Sequence, residues 1–281
     1  MKKFRPTSPG VRQRTDIEYS KVLTRTKPNK KLTKKIKQHA GRNNQGRITM
    51  RHQGAGHKKL YRMIDFKQDK LDIPAKIESI EYDPYRSAFI AQVVYKDGER
   101  RYILAPQKLN VGDSIVTSAK AELKTGNRLQ LKNIPIGQFV YNVEIREKSG
   151  GKLARSAGSY LEVLGTSNGF TDLRMPSKEV RRVSENCFAS IGQVSNPDYN
   201  LISLGKAGRS RWRGIRPTVR GTAMNPVDHP YGGGEQVQPR GTKRPKDVWG
   251  NVTGGRKTRG RKKWSNKLIL KRRPVKRNGG K

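Results

Sequence analysis

Short runs of alternating apolar and polar residues fill the middle of the chain, from residue 75 to residue 195. Residues 87–106 hold two such runs on either side of Asp97-Gly98, a dipeptide typical of a tight hairpin turn. Gly, Pro and Asn separate the runs at intervals of roughly 8–12 residues. This pattern predicts short strands that close into small β-barrels or sandwiches.

A break at Pro135-Ile136-Gly137 divides this β-rich region. Residues 71–200 leave room for two small barrels, so we expect one domain over 71–135 and a second over 136–200. Residues 1–70 and 201–281 show little periodicity and are predicted to be basic extensions. The predicted fold class is therefore mainly β with long basic ends.

The distribution of charge follows the same division. The 281 residues include 62 Lys and Arg against 22 Asp and Glu, a formal net charge of +40. Residues 1–70 carry +17, residues 71–200 only +3, and residues 201–281 carry +20. The ends have too little apolar surface to offset the entropy of ordering, so we expect extended segments that become ordered on a polyanion. Free disordered tails are the alternative, although the three tryptophans Trp212, Trp249 and Trp264 argue against it.

Such a charge is typical of a nucleic-acid partner, because Lys and Arg gain affinity by displacing counterions from phosphates. The sequence has no long apolar run and no convincing basic amphipathic helix, so no membrane partner is expected. The basic start lacks a hydrophobic stretch, so a secretory signal is not expected either. Cys187 is the single cysteine, which excludes an internal disulfide framework. We expect a soluble intracellular protein.

Cations and glycines alternate in residues 40–59, AGRNNQGRITMRHQGAGHKK. Glycine lets backbone N–H groups approach a phosphate closely, and arginine can bind it with a bidentate fork. A zinc site is not expected, because His39, His52 and His57 have no cysteine or carboxylate ligand nearby. The candidate RNA contacts in this arm are Arg42, Arg47, Arg51, His52, His57, Lys58 and Arg62.

A second basic stretch is GGKLARSAGS, residues 150–159. It could form an anion nest with Lys152, Arg155 and Ser156 as RNA contacts, and an ordinary hairpin turn is the alternative. The stretch lacks the lysine-hydroxyl ending of a nucleotide-binding P-loop, so no nucleotide cofactor is expected.

A third basic stretch, residues 205–221, surrounds Trp212 with cations. An indole beside guanidinium groups suits stacking on unpaired bases, whereas packing against a barrel with cations around it is an equal alternative. The candidate RNA contacts here are Arg209, Arg211, Trp212, Arg213, Arg216 and Arg220.

The loop NPVDHPYGGGE, residues 225–235, holds the residues that most resemble an active site. Asp228 adjoins His229, but neighbouring side chains in an extended segment point to opposite sides, so Asp228 is poorly placed to orient the imidazole. The prolines stiffen the loop and the glycines keep it thin. We therefore expect no catalytic residue here, and RNA contacts from His229, Gly232, Gly233 and Gly234.

Several long motifs resemble, in order, the large-subunit ribosomal protein two family. They are GRNNQGRITMRHQGAGHKKLYRMIDF, GGKLARSAGS, NLISLGKAGRSRW, RPTVRGTAMNPVDHPYGGGE and GGRKTRG, and the resemblance runs from about residue 5 to the C-terminus. Family members usually have His and Gly where this chain has Tyr231 and Gln236. A role of that second loop histidine therefore does not carry over.

The resemblance implies an OB-fold barrel followed by an SH3-like barrel, with extensions buried in large-subunit ribosomal RNA. It also implies other ribosomal proteins and the small subunit as partners, and a place near the peptidyl transferase centre in a cytoplasmic, bacterial-type ribosome. There the protein would support subunit association, tRNA binding and peptide-bond formation without being the catalyst, with no cofactor, metal or small-molecule substrate. Two alternatives stay open: an enzyme with His229 as base, and a chaperone that coats RNA without a fixed site.

Overall fold

The computed structural model describes residues 1–235, 241–255 and 257–273, and it contains two compact units. The barrel unit comprises residues 1–37, 58–206 and the chain from 267 onward. The composite unit comprises residues 38–57 and 207–266. Each unit thus combines segments that are far apart in the sequence.

The described residues form short strands and two short α-helices, α1 at Pro9–Arg12 and α2 at Ala207–Trp212. The first eight strands are β1 Lys2–Lys3, β2 Thr15–Asp16, β3 Thr33–Lys35, β4 Leu60–Arg62, β5 Ala75–Glu81, β6 Ile90–Tyr95, β7 Arg100–Leu104 and β8 Ser114–Ile115. The others are β9 Arg128–Gln130, β10 Phe139–Tyr141, β11 Val143–Glu144, β12 Gly151–Leu153, β13 Leu161–Ser167, β14 Phe170–Arg174, β15 Val180–Ser184, β16 Phe188–Ile191 and β17 Ile269–Lys271. The prediction of a mainly β protein is confirmed.

A four-stranded antiparallel sheet in the order β7-β6-β5-β8 forms the first half of the barrel unit. The predicted hairpin is β6 and β7, and Gly98 has the positive φ of +84° that its turn requires. Alternation along β5 buries Ala75 and Ile77 while Lys76 stays exposed. These side chains pack with Phe89, Val93 and Ile103 into one core.

The second half of the barrel unit is a seven-stranded antiparallel sheet in the order β17-β15-β14-β13-β10-β16-β9. Its core contains Leu129, Leu161, Leu173 and Ile191, each at most 2% exposed. A smaller cluster, Ala88, Leu104, Tyr141 and Val194, joins residues of both sheets. The barrel unit is therefore continuous in its apolar packing.

The domain boundaries at 70, 135 and 200 stay predictions. Strand β9 hydrogen-bonds to β16 and so belongs to the seven-stranded sheet. The chain therefore passes from the first sheet to the second between Thr117 and Arg128, before residue 135. The Pro135-Ile136-Gly137 break falls instead just before β10, where Gly137 has a φ of +83°. Apolar periodicity could not show this, because β9 contributes only three residues.

The flanks are not uniformly extended. Tyr19 packs edge-on against Phe89 at 6.0 Å between ring centroids, and the Asn29 N–H donates to the Tyr102 hydroxyl at 2.8 Å. Residues 1–37 thus belong to the barrel unit, and β17 adds a C-terminal strand to its larger sheet. That ordering elsewhere in the flanks needs a polyanion stays a prediction.

A buried ion pair stabilises the second half of the barrel unit. Arg128, fully buried, donates to Glu144 Oε1 at 3.1 Å and to the Asn142 carbonyl at 2.8 Å. Burial lowers the pKa of the Arg128 guanidinium, and the charge of Glu144 opposes that shift. The charge of Arg128 is thus paired with a carboxylate, as buried charges usually are, although its Nε has no hydrogen-bond partner among the described residues.

Backbone pairing joins the two segments of the composite unit. The Gly54 N–H donates to the Gly214 carbonyl at 2.9 Å, and the Arg216 N–H donates to the His52 carbonyl at 3.0 Å. A Cβ at Gly56 would lie 2.9 Å from the Gly214 nitrogen, so only glycine permits this approach. The N-terminal arm is therefore paired with the region around Trp212, which the sequence did not indicate.

Candidate nucleic-acid interface

The composite unit concentrates cations that it cannot neutralise internally. Its 80 residues include 18 Lys and Arg but only Asp228, Glu235 and Asp247 as acids. Most of its positive charge must therefore face solvent or an external polyanion. The predicted contacts found in it are Arg42, Arg47, Arg51, His52, His57, Arg209, Arg211, Trp212, Arg213, Arg216, Arg220, His229, Gly232, Gly233 and Gly234.

Asn43 organises the first cationic turn of the composite unit. Its side-chain Oδ1 accepts the N–H groups of Gln45 and Arg47, each at 3.0 Å. Arg42 and Ile48 form a bridge across the turn. Arg42 and Arg47 are exposed, so the turn presents two guanidinium groups from a small, fixed loop.

Aromatic rings lie among these cations. Trp212 packs edge-on against His57 at 5.7 Å between ring centroids, and the His57 N–H donates to the Trp212 carbonyl at 3.0 Å. The indole is 49% exposed, which leaves room for stacking on a base. Arg51 lies over the ring of Trp249 at 5.4 Å, a cation–π pair that the sequence analysis missed because the two are 198 positions apart.

The Pro-Gly loop, residues 224–235, closes on itself. The Gly233 N–H donates to the Met224 carbonyl at 3.0 Å, and the Gly232 N–H donates to the His229 carbonyl at 2.9 Å. A Cβ at Gly232 would overlap the Asn225 carbonyl, and one at Gly233 would lie 2.6 Å from Pro226 Cγ. These two glycines are therefore required by contacts within the loop. Gly234 has a φ of +78° and is exposed.

His229 is held by the backbone of its own loop. Its Nδ1 accepts the Tyr231 N–H at 3.1 Å, and the two rings lie 5.1 Å apart between centroids. A Cβ at Gly221 would lie 2.5 Å from the His229 Cε1, so the imidazole fits directly against that glycine. With Nδ1 as acceptor, the neutral ring offers Nε2–H as its donor.

The Tyr231 hydroxyl ties the Pro-Gly loop to residues 242–246. It lies 3.1 Å from the Thr242 hydroxyl and accepts the Lys246 N–H at 2.5 Å. A histidine, the usual family residue, would not place a hydroxyl there. Gln236, the other departure, lies outside the described residues.

The remaining predicted contacts lie in the barrel unit, and they differ in accessibility. Lys58, Lys152, Arg155 and Ser156 are exposed. Arg62 is only 8% exposed, and its guanidinium donates to the Leu60 carbonyl at 2.7 Å. Because its position in β4 buries it, Arg62 is less accessible to RNA than the other four predicted contacts of the barrel unit.

Part of the predicted anion nest is already hydrogen-bonded within the chain. The N–H groups of Lys148 and Gly150 donate to the Glu144 carboxylate at 3.1 and 3.2 Å. The chain thus supplies its own anion at the place where the Gly-Gly sequence suggests a phosphate. Arg155 instead lies over the ring of Phe66 at 4.4 Å and remains exposed.

The barrel unit has a second cationic surface that the sequence analysis missed. A cavity of about 820 Å³ is lined by the cations of residues 25–31 and by Arg100, beside Glu78 and Gln92. Arg100 donates to Glu78 at 3.0 Å. The sequence did contain a signal for this surface, because four of the seven residues 25–31 are cations. They are Arg25, Lys27, Lys30 and Lys31.

Cys187 is fully buried in the barrel unit, and burial raises the pKa of its thiol to about 12. It is therefore a core residue that cannot provide a thiolate nucleophile. In the part of the chain that the structure describes, no three His, Cys, Asp or Glu residues come together as a metal site. Among the same residues, no helix is long and apolar enough to cross a bilayer.

The exposed cations, the aromatic rings among them and the two β-barrels together define an RNA-binding protein. Two family models match the chain: Ribosomal Proteins L2, RNA binding N-terminal domain, over residues 29–117, and Ribosomal Proteins L2, C-terminal domain, over residues 124–250. The chain belongs to the ribosomal L2 family. It is a structural, rRNA-binding protein of the large ribosomal subunit, with other ribosomal proteins as neighbours. The two sheets are its OB-fold and SH3-like barrels.

Proposed function

We propose that this chain binds large-subunit ribosomal RNA chiefly through the composite unit, close to the peptidyl transferase centre. There it supports subunit association, tRNA binding and peptide-bond formation by positioning RNA, and it is not itself the catalyst. The family resemblance supports the location. The 18 cations against three acids in the composite unit support its role as the main RNA-binding unit.

The geometry of His229 carries this proposal. A general base of the Ser-His-Asp kind needs Nδ1–H donated to a carboxylate, so that Nε2 can accept a proton. Here Nδ1 accepts the Tyr231 N–H, which leaves Nε2 as the donor in the neutral ring. No hydrogen bond from His229 to Asp228 occurs within the described loop. The imidazole is arranged to donate to a phosphate or base acceptor.

The finer assignments follow from the resemblance. We propose a cytoplasmic ribosome, a contact with the small subunit, and the domain boundaries at 70, 135 and 200. The predicted contact residues are proposed as RNA contacts, with Arg62 retained only as a residue that shapes β4.

The test is to assemble large subunits that carry His229→Ala and to measure peptide-bond formation at saturating substrate. Loss of one hydrogen-bond donor should lower RNA affinity by about tenfold and leave the maximal rate of assembled subunits within a few-fold of wild type. His39→Ala is the matched control, because His39 is an exposed histidine of the composite unit outside the loop. Normal assembly with abolished chemistry would show that His229 is catalytic.

A further inference from the structure

The composite unit contains a cavity whose lining combines cations and apolar side chains. Its volume is about 370 Å³, at the lower end of the roughly 300–1,000 Å³ range of small-ligand sites. Its lining among the described residues includes no acid. The side chains that give it charge and apolar surface are those of Arg42, Arg51, His52, Arg216, Ile48 and Met50.

Strained backbone shapes the cavity. Three of its non-glycine residues have positive φ, Ala40 at +48°, His52 at +61° and Ala55 at +47°. Gly41, at +77°, packs so closely that a Cβ would overlap the Met50 carbonyl. Left-handed alanines are unfavourable and persist where surrounding contacts impose them, which is common at ligand sites. The backbone is therefore fixed in the shape of a concave wall.

Two apolar side chains at the cavity are left open to solvent. Ile48 is 57% exposed and Met50 is 63% exposed, although each borders arginines. Guanidinium groups suit phosphate oxygens, whereas Met and Ile suit the flat face of a base. One nucleotide provides both chemistries, and a paired helix does not fit into a cavity of this volume.

We propose that this cavity receives a single unpaired nucleotide of the ribosomal RNA. Its phosphate pairs with Arg42, Arg51 and Arg216, and its base is covered by Ile48 and Met50. The proposal rests on the proposed function, because it needs the composite unit to face RNA, and it adds a site that reads one extruded base.

The test uses the full chain bound to large-subunit ribosomal RNA, with chemical modification of the pairing edges of the bases as the probe. In wild type we expect one unpaired base to be shielded. In the double variant Ile48→Ser/Met50→Ser it should regain the reactivity of free RNA, while affinity falls by about tenfold. The salt slope should stay unchanged, because no charge is removed.

Two variants serve as controls. Val227→Ser removes an apolar side chain of the composite unit that is 90% exposed and lies outside the cavity, so it should leave the base in the cavity shielded. Met50→Leu keeps the apolar contact and should also keep the shielding. Shielding that persists in the double variant, or is lost equally in Val227→Ser, overturns the nucleotide site. A wild-type chain that shields no base and binds without salt dependence instead contradicts the proposed function itself.

Discussion

The two units handle their excess of positive charge in different ways. The barrel unit carries +25 over 201 residues and includes 19 acids, whereas the composite unit carries +15 over 80 residues with three acids. The barrel unit pairs part of its cations internally, as in Arg101 with Asp65 at 2.7 Å and Arg182 with Asp172 at 3.0 Å. Of the described residues of the composite unit, only Ser265 is buried.

This difference separates stability from recognition within one chain. Apolar burial and internal ion pairs stabilise the barrel unit. The composite unit relies on backbone hydrogen bonds and close glycine packing, which hold a shape but bury little apolar surface. Its unneutralised charge then adds to RNA affinity and opposes folding in free solution.

The largest expected effect is a loss of stability in the barrel unit alone. Arg128→Ala leaves Glu144 buried without its counter-charge, so the free energy of unfolding should fall by about 3–5 kcal/mol. Denaturant unfolding of the full chain measures this change. Arg47→Ala, an exposed arginine of the composite unit, should change stability by less than about 0.5 kcal/mol. Equal stability changes in the two variants would contradict the separation of roles.

An intermediate effect is expected from the close packing of the Pro-Gly loop. Gly232→Ala places a Cβ against the Asn225 carbonyl, so the loop should open at a cost of about 1–3 kcal/mol. Hydrogen exchange of the Gly233 amide should accelerate accordingly. Gly260→Ala is the matched control, because a Cβ there meets no atom within 4 Å. Unchanged exchange in Gly232→Ala would mean that the glycine is not needed for loop closure.

The smallest expected effect is on the salt dependence of RNA affinity, which compares the cations of the two units. Arg47→Ala should reduce the salt slope of RNA affinity by roughly 0.7–0.9, as for the loss of one phosphate contact. Arg174→Ala should change that slope less, because Arg174 already pairs with Glu162 at 2.8 Å in the barrel unit. Titrations at several salt concentrations measure both slopes. A larger change in Arg174→Ala would place the main RNA surface on the barrels.

Local patterns predicted the barrel unit well. The alternation along β5 and the Asp97-Gly98 turn before β7 are properties of adjacent residues, so they are visible in the sequence. The order β9 beside β16 is not, because it depends on pairing across 58 positions. The burial of Arg62 was not predicted either, because strand β4 has only three residues and is too short to give a periodic pattern.

The sequence predicted which residue types form the candidate interface, but it did not predict how they are arranged. Cations, glycines and Trp212 pointed to RNA, but the pairing of His52 with Arg216 brings together segments about 160 residues apart. The Gly150-Gly151 stretch suggested a phosphate site, but the Gly150 N–H already donates to Glu144 and the Gly151 N–H to the Phe66 carbonyl. Composition reveals which ligand chemistry a chain favours; it does not reveal which of its own groups have already satisfied it.

The split construction of the composite unit has a consequence for the order in which the chain is made. Residues 38–57 leave the translating ribosome long before their partner, residues 212–216, has been synthesised. At roughly 5–20 residues per second, the arm waits on the order of ten to thirty seconds without its partner. During that interval the arginines of residues 38–57 are exposed to the RNA around the ribosome before the partner that shapes their segment exists.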